Sequence, residues 1–299
     1  MISLKRILFP CDFSEASAHA RDHAAAIART YRAELVALHV FPSAPMPLGD
    51  FAYLPPPTRL SDDVRARLLG DLKRFMEPAV VTDLPQRVVV VEGDPTWEIL
   101  AQSKELTPDL MVVGTHGRHG FQRWALGSVT EKLVRRAACP VMTVSPRSEP
   151  PAPAGQTRFE RILCAIDFSE GSAHALRWAL DLATEMGSHL MLLHALEGFV
   201  EDEGRLINSA IREYHNAMAG EALEKLKAMV PDDARPFCEI EERVVNGSAY
   251  KRILAISESD RSDLIVMGAH GRSALDLLFL GSATHHVVRA AHCPVLTVR

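Results

Sequence analysis

The strongest constraint on this chain is an internal duplication. The first copy contains RILFPCDFSEASAHA at 6–20 and GTHGRHGFQRWALGSVTEKLVRRAACPVMTV at 114–144, and the second contains RILCAIDFSEGSAHA at 161–175 and GAHGRSALDLLFLGSATHHVVRAAHCPVLTV at 268–298. The two segments follow each other in the same order in both copies. A repeat of this size predicts two copies of one fold.

A proline-rich segment separates the copies. It has the sequence SPRSEPPAPAGQTR at 145–158, a composition typical of an extended linker. Each copy spans about 140 residues, which is an ordinary size for a single domain. We therefore expect a first domain at 1–147, a linker at 148–157 and a second domain at 158–299.

Each copy alternates short apolar segments with helical ones. In the first copy the pattern predicts strands at 6–10, 34–41, 87–93, 109–114 and 141–144, and helices at 17–31, 60–76, 96–103 and 128–138. Strands so rich in Val, Leu and Ile are typical of a parallel sheet covered by helices on both faces. We expect an α/β fold of two tandem, doubly wound domains that bind ligands at the carboxyl ends of their strands.

Composition and charge argue against several classes of protein. Hydrophobic residues make up 47% of the chain and charged residues 24%, which excludes a disordered chain, and the net charge of −5 lacks a basic nucleic-acid footprint. No apolar run approaches the ~20 residues that span a bilayer, and the N-terminus lacks a signal-peptide pattern. Five cysteines without a C-x-x-C pair fit a reducing compartment. We expect a cytoplasmic protein without membrane or nucleic-acid partners.

A glycine motif follows the fourth predicted strand of each copy and ends at a helix start. It has the spacing G-x-x-G-x9-G-S, with Gly114, Gly117, Gly127 and Ser128 in the first copy and Gly268, Gly271, Gly281 and Ser282 in the second. Free N–H groups and a helix N-terminus at such a place bind anions, and Arg118 and Arg272 could neutralise a phosphate. The alternative is that the glycines only shape a loop, while Ser128 and Glu131 form a capping box. Identical spacing in two copies favours the phosphate site.

An aspartate ends the first strand of each copy, Asp12 or Asp167, within the shared sequence DFSE. Because parallel strands end at one edge of a sheet, we expect this side chain to lie across the strand ends from the glycine motif. There it can accept a hydrogen bond from a ribose hydroxyl or a base amine. From position alone, a helix N-cap carboxylate helped by Ser14 or Ser169 is equally consistent.

These motifs, together with the CPV segment before the last strand, resemble the universal stress protein family in its ATP-binding branch, over both halves of the chain. The resemblance implies Rossmann-like domains of the adenine nucleotide alpha hydrolase-like type, each with a five-stranded parallel sheet. It also implies an internal pseudo-dimer and allows a homo-oligomer. By the same resemblance, the ATP contacts of the first half are Pro10, Asp12, Val40, Gly114, Thr115, His116, Gly117, Arg118, His119, Gly120, Gly127, Ser128, Val129 and Thr130. Those of the second half are Ala165, Asp167, Ala195, Gly268, Ala269, His270, Gly271, Arg272, Ser273, Ala274, Gly281, Ser282, Ala283 and Thr284.

The two copies differ at several of these positions, but no difference removes a motif glycine, the aspartate or the serine. For example, Ala165 replaces Pro10. At the second helix start the chain carries His285 and His286, either as an ordinary surface pair or as a cation near the phosphates. Cys11 and His39 end neighbouring strands and could form part of a zinc site. We expect instead Mg²⁺ or Mn²⁺ carried by the nucleotide phosphates.

Common catalytic motifs are missing from the sequence. It contains no G-x-x-x-x-G-K-[ST] loop, no G-x-G-x-x-G after the first strand and no G-x-S-x-G elbow, which argues against three large enzyme classes. We expect an ATP-binding universal stress protein acting as a switch. Nucleotide occupancy would change the ordering of the glycine loop, and hence either the binding of an unidentified protein partner or the packing of the two halves. Two alternatives stay open: a slow ATP hydrolase or phosphotransferase using His116 or His270, and an interaction protein that binds no nucleotide.

Overall fold

A computed structural model of the chain describes residues 2–42, 60–78, 84–115, 126–151, 159–197, 209–271 and 280–299. The chain divides into two compact units, whose main segments are Ser3–Pro146 and Arg158–Arg299. Each unit contains one copy of the sequence repeat.

The described residues of both halves contain the same series of elements. The first half consists of β1 (Arg6–Pro10), α1 (Glu15–Tyr31), β2 (Glu34–Pro42), α2 (Asp62–Met76), β3 (Gln86–Gly93), α3 (Pro95–Leu106), β4 (Leu110–Gly114), α4 (Ser128–Arg136) and β5 (Val141–Val144). The second half consists of β6 (Arg161–Ala165), α5 (Glu170–Met186), β7 (His189–Leu196), α6 (Ser209–Met229), β8 (Glu239–Asn246), α7 (Ala249–Ser259), β9 (Leu264–Gly268), α8 (Ser282–Ala290) and β10 (Val295–Val298). The predicted alternation of strands and helices is confirmed.

The strands of each half are parallel and have the same order. Neighbouring strands follow the order β3-β2-β1-β4-β5 in the first half and β8-β7-β6-β9-β10 in the second. The first and fourth strands of each half are therefore adjacent, with Ile7 beside Leu110 and Ile162 beside Leu264. The strand order changes direction at this pair, and such a switch point leaves a crevice at the carboxyl ends of the two strands. The predicted α/β class with parallel sheets is confirmed.

The central strands are buried on both faces, as their apolar sequences require. In β1 the side chains of Ile7, Leu8 and Phe9 have no exposed surface, and in β6 Leu163 and Cys164 are equally buried. Burying one large apolar side chain stabilises a fold by about 1.5–3 kcal/mol, so these strands anchor each half. The crevice at their ends is consequently built on rigid elements.

Polar side chains begin several helices. Ser14 is the N-cap of α1 and accepts a hydrogen bond from the N–H of Ser17, so the helix starts at Glu15, earlier than the predicted start at Ser17. Ser169 caps α5 in the same way. Within the described ranges, no helix combines the length and the apolar character needed to cross a membrane.

At the amino-terminal edge of each sheet, an aspartate binds the backbone at the start of the first strand. Asp109 Oδ2 accepts hydrogen bonds from the N–H groups of Lys5 at 2.7 Å and Arg6 at 2.9 Å. In the second half Asp263 Oδ2 accepts from Glu160 at 2.7 Å. Burial raises the pKa of Asp263 to about 6; the backbone amides bound to it oppose this rise, and the charge of Glu160 adds to it.

This raised pKa predicts a pH-dependent stability. Because Asp263 holds its proton more tightly in the folded state, its contribution to the free energy of unfolding is fully present below about pH 4 and is lost as pH rises to about 6. We expect a loss of roughly 2 kcal/mol over this range, discounted for partial solvent access. Urea unfolding between pH 4 and 7 checks it: Asp263→Asn should remove the slope, and Asp232→Asn, at an exposed site, should retain it. Parallel profiles for wild type and Asp263→Asn would contradict the assignment.

Candidate functional site

The end of the glycine motif meets the carboxyl ends of the central strands. The N–H of Gly127 donates to the carbonyl oxygen of Thr115 at 2.8 Å, and that of Gly281 donates to the carbonyl oxygen of Ala269 at 3.0 Å. Thr115 and Ala269 directly follow β4 and β9, so these bonds place the N-termini of α4 and α8 at the strand ends. The predicted contacts that lie outside the described residues are His116, Gly117, Arg118, His119, Gly120, Arg272, Ser273 and Ala274.

A buried threonine fixes each of these helix starts. Thr130 Oγ1 donates to the carbonyl oxygen of Gly114 at 2.8 Å, and Thr284 Oγ1 donates to that of Gly268 at 2.9 Å. The third residue of the helix is thereby bonded to the last residue of the fourth strand in each half. The helix start and the strand end therefore form one unit.

Glycine residues, and not serines, cap these two helices. Gly127 and Gly281 are the N-cap residues, with no side-chain hydrogen bond to the first turn, and Ser128 and Ser282 are the first helical residues. The alternative of a capping box formed by Ser128 and Glu131 is therefore wrong. A serine caps a helix only from the position before its first turn, and a glycine occupies that position here.

The first turn of each helix presents backbone N–H groups at the crevice. In α4 the N–H of Glu131 bonds to the carbonyl oxygen of Gly127 at 2.9 Å, and in α8 the N–H of His285 bonds to Gly281 at 2.9 Å. The preceding N–H groups, of Ser128–Thr130 and Ser282–Thr284, belong to the first turn, where an α-helix offers no internal acceptor. These groups also carry the positive end of the helix dipole, so an anion is favoured here.

The first glycine of each motif is required by packing. A Cβ atom on Gly114 would lie 2.9 Å from the carbonyl carbon and oxygen of Ala16, and one on Gly268 would lie 2.9 Å from the carbonyl carbon of Gly171. The fourth strand thus passes within backbone contact of the first helix. Only a residue without a Cβ atom allows this approach.

In the second half the structure brings the aspartate and the later glycines together. A Cβ atom on Gly271 would lie 2.9 Å from Asp167 Oδ2, and one on Gly281 would lie 3.5 Å from the backbone nitrogen of Gly271. The carboxylate of Asp167, Gly271 and the start of α8 therefore meet at one crevice. His270 lies at the same place, because its carbonyl oxygen would be 3.0 Å from a Cβ atom on Gly171.

The carboxylate of Asp12 organises the turn that follows β1. Its Oδ1 accepts hydrogen bonds from the N–H of Ser14 at 3.0 Å, from Ser14 Oγ at 2.6 Å and from Ser17 Oγ at 2.6 Å. The N-cap of α1 is Ser14, so the alternative that Asp12 itself caps the helix is wrong. The aspartate instead positions the capping serine.

Asp167 does the same in the second half, with one difference. Its Oδ1 accepts from the N–H of Ser169 at 3.0 Å and from Ser169 Oγ at 2.5 Å. The hydroxyl of Ser172, however, donates to the carbonyl oxygen of Ser169 at 3.0 Å and not to the carboxylate. The two copies of the turn are therefore not identical.

The residue after each aspartate was not singled out by sequence reasoning. Phe13 has φ +62° and Phe168 has φ +64°, in the left-handed region. Each phenyl ring lies 4.5 Å, centroid to centroid, from a buried imidazole, that of His39 or His194. The sequence signal that could have found these pairs is the equal spacing between DFSE and the histidine in both copies.

His39 contacts the backbone of Cys11. His39 Nδ1 lies 2.8 Å from the carbonyl oxygen of Cys11. Across the ranges described above, no three His, Cys, Asp or Glu side chains are grouped as metal ligands would be. Cys164 lies within β6, where burial raises the pKa of its thiol and so disfavours the thiolate that metals bind.

The other predicted contacts lie around the same strand ends. Pro10 and Ala165 are the last residues of β1 and β6, and Val40 and Ala195 lie near the ends of β2 and β7. Val129 and Ala283 belong to the first turns of α4 and α8. The structure therefore places the described members of both predicted sets at the carboxyl edge of their own sheet.

The histidine pair of the second half packs against a neighbouring helix. The ring of His286 stacks on Tyr250 of α7 with centroids 4.4 Å apart. The ring of His285 meets the ring of His286 edge-on, with centroids 5.7 Å apart. In the first half Glu131 and Lys132 occupy the corresponding sequence positions. The two helix starts therefore differ in the charged residues that they carry.

A recess of about 750 Å³ lies at the opposite edge of the second sheet. Its lining includes Arg161 and His189, which begin β6 and β7, and Glu239, which begins β8. Arg243 in this recess binds Glu241 and Asp260, so its charge is neutralised within the protein. The recess is remote from the strand ends that carry the glycine motif.

Comparisons with known proteins agree with this architecture. A family model described as the universal stress protein family matches residues 3–145 and 158–299. Universal stress protein Rv2005c of Mycobacterium tuberculosis strain H37Rv is 32% identical over 243 residues, which cover 80% of this chain and 78% of that protein. Universal stress protein YxiE of Bacillus subtilis strain 168 is 33% identical over 147 residues, 47% of this chain and 99% of the relative.

A solved structure supports the fold over the whole chain. The crystal structure of a universal stress protein from Archaeoglobus fulgidus DSM 4304 superposes with a TM-score of 0.69 and 21% sequence identity. The superposition covers 100% of this chain and 99% of that chain. At 21% identity this likeness is evidence for the fold alone.

Proposed function

The chain belongs to the universal stress protein family, as a tandem of two such domains, and from this premise we propose that each half binds ATP at its carboxyl-edge crevice. The observation that carries the proposal is the helix start without a side-chain cap, which both halves place beside the end of the fourth strand. In the second half the carboxylate of Asp167 and this helix start both lie beside Gly271. Phosphate and sugar thus each find a chemical partner.

Each part of the crevice suits a different part of the nucleotide. The first-turn N–H groups of α4 and α8 would bind phosphate oxygens. The carboxylates of Asp12 and Asp167 would accept hydrogen bonds from the ribose hydroxyls. Mg²⁺ or Mn²⁺ would enter with the phosphates, whose oxygens are the hard ligands that these ions prefer.

The proposed role is a nucleotide-dependent switch in the stress response. A nucleotide shifts a protein between two states only through a difference in its affinity for them. We propose that the occupied and the empty forms differ in their affinity for a protein partner. A pull-down with and without ATP, followed by mass spectrometry of the captured proteins, would identify such a partner.

Nucleotide binding is tested directly by stability. We expect ATP with Mg²⁺ at 100 times its Kd to raise the free energy of unfolding by about 2.7 kcal/mol at each site. Thermal unfolding of the purified protein with ATP, adenosine or inorganic triphosphate separates the contributions of base, sugar and phosphate. Mass spectrometry of the natively purified protein reports any nucleotide that it retains.

The same samples distinguish a switch from an enzyme. If the protein only binds ATP, the nucleotide stabilises it against unfolding and no product is released steadily. If the wild type releases phosphate steadily and His116→Ala and His270→Ala abolish this release, the protein is a slow hydrolase and not a switch. If none of the three ligands changes the thermal unfolding temperature, the protein is an interaction protein that binds no nucleotide.

A further inference from the structure

Both halves hold a phenylalanine in an unfavourable backbone conformation directly after the aspartate. Phe13 and Phe168 have φ values of +62° and +64°. For a bulky residue this conformation is a true outlier and costs free energy, so the surrounding structure must hold it in place. Its recurrence in both halves at the same position shows that it is a property of the site.

A buried histidine contacts this turn in two ways. His39 Nδ1 lies 2.8 Å from the carbonyl oxygen of Cys11, the residue before Asp12, and its ring lies 4.5 Å from that of Phe13 at an interplanar angle of 46°. A carbonyl oxygen can only accept a hydrogen bond. The histidine must therefore carry a proton on Nδ1 and donate it.

The second half repeats both contacts. His194 Nδ1 lies 2.7 Å from the carbonyl oxygen of Ile166, and its ring lies 4.5 Å from that of Phe168 at 45°. The residue that supplies the carbonyl is cysteine in one half and isoleucine in the other. The shared feature is thus a histidine that binds the backbone on one side of the aspartate and the aromatic ring on the other side.

The position of this histidine links it to nucleotide recognition. It binds the residues on both sides of the aspartate, so it restricts the direction in which the carboxylate leaves the strand. In the second half that carboxylate faces Gly271, where a Cβ atom would lie 2.9 Å from Asp167 Oδ2. A small rotation of the turn would move the carboxylate away from the crevice.

We propose that His39 and His194 are positioning residues for the nucleotide sites. Each holds the left-handed turn through its Nδ1–H and its ring, and thereby fixes the carboxylate of Asp12 or Asp167 against the glycine motif. The role of these histidines in nucleotide binding rests on the proposed function, whereas their role in holding the turn does not. The geometry can be measured without nucleotide.

The first test uses the empty protein. The N–H of Ser14 bonds to Asp12 Oδ1 at 3.0 Å, so its hydrogen exchange reports on the turn. His39→Phe keeps a ring without a donor, and His39→Gln moves the donor outward, so we expect exchange at Ser14 to accelerate about tenfold in both. His39→Asn places an amide N–H near the original Nδ1, so exchange at Ser14 should stay close to the wild-type rate. The Ser169 amide, in the other half, is the internal control.

The second test measures binding at the first site alone, in a chain whose second site is blocked by Gly281→Val. We expect the Kd for ATP to rise about tenfold or more with His39→Phe or His39→Gln, and His39→Asn to restore part of the affinity. Long-range ¹H–¹⁵N spectra of the wild type should show a proton on His39 Nδ1. The same series at His194 tests the second half in a Gly127→Val chain.

The outcomes separate the two ideas. If the wild type binds no ATP but Ser14 exchange follows the donor as described, the proposed function fails and the role in the turn stands. The positioning role is overturned if His39→Phe and His39→Gln leave Ser14 exchange unchanged. It is also overturned if His39→Asn accelerates Ser14 exchange as much as His39→Phe and His39→Gln do. A wild-type His39 without a proton on Nδ1 would overturn it as well.

Discussion

A chain with valine at both Gly127 and Gly281 is expected to bind ATP at least a hundredfold more weakly than the wild type and still to fold. A Cβ atom on Gly281 would lie 3.3 Å from Thr284 Oγ1 and 3.5 Å from the nitrogen of Gly271. The methyl groups of valine would then occupy the space in front of the first-turn N–H groups. A hundredfold loss corresponds to about 2.7 kcal/mol of binding free energy.

The backbone at these positions tolerates the change. Gly127 has φ −61° and ψ 135°, and Gly281 has φ −54° and ψ 138°, which valine can adopt. Replacing a glycine N-cap by valine costs about 1 kcal/mol, so the fold should survive. Isothermal titration calorimetry measures the affinity, and urea unfolding measures the stability.

The matched control is Gly220→Val. Gly220 lies on α6, and a Cβ atom there would meet no atom within 4 Å. This variant makes the same chemical change away from the crevice and should bind ATP like the wild type. If the double variant also keeps its affinity within threefold, the phosphates do not lie at these helix starts and the proposed site is wrong.

The second large effect is expected at the first glycine of each motif. Gly114→Ala and Gly268→Ala should each lower the free energy of unfolding by about 2–3 kcal/mol. The added Cβ atom would lie 2.9 Å from backbone atoms of Ala16 or Gly171, and a backbone cannot move aside as a flexible side chain can. The strand and the helix must therefore separate.

Tryptophan fluorescence can follow each half separately. Trp97 and Trp124 belong to the first half and Trp178 to the second. In a Trp97→Phe, Trp124→Phe background, Trp178 reports urea unfolding of the second half, where Gly268→Ala should shift the midpoint to lower urea concentration. Gly70→Ala, in open space on α2, should be neutral or slightly stabilising. An unchanged midpoint for Gly268→Ala would refute the packing role.

The fold was predictable from the sequence because its signals are local and occur twice. Apolar runs such as 34–41 and caps such as Ser14 determine elements within a few residues, and the repeat doubles each signal. The order of the strands is not encoded in any local pattern. It depends on which strands pack side by side, as Ile7 does with Leu110.

The site was predictable in its members and not in their geometry. The repeated motif singled out Asp167 and Gly271, which the structure brings together. It did not decide between Gly127 and Ser128 as the N-cap, because both residue types favour helix starts. The left-handed backbone of Phe13 was also not predictable, since bulky residues rarely adopt it and only tertiary contacts maintain it.

The small difference between the two aspartate turns has a consequence for how the protein can respond in a cell. Ser17 donates to Asp12, whereas Ser172 donates to the backbone of Ser169. Two versions of one site are thus joined by a peptide chain. Their ratio is fixed at one to one in every molecule, whatever the expression level, and no exchange of subunits can produce a molecule with two copies of the same version.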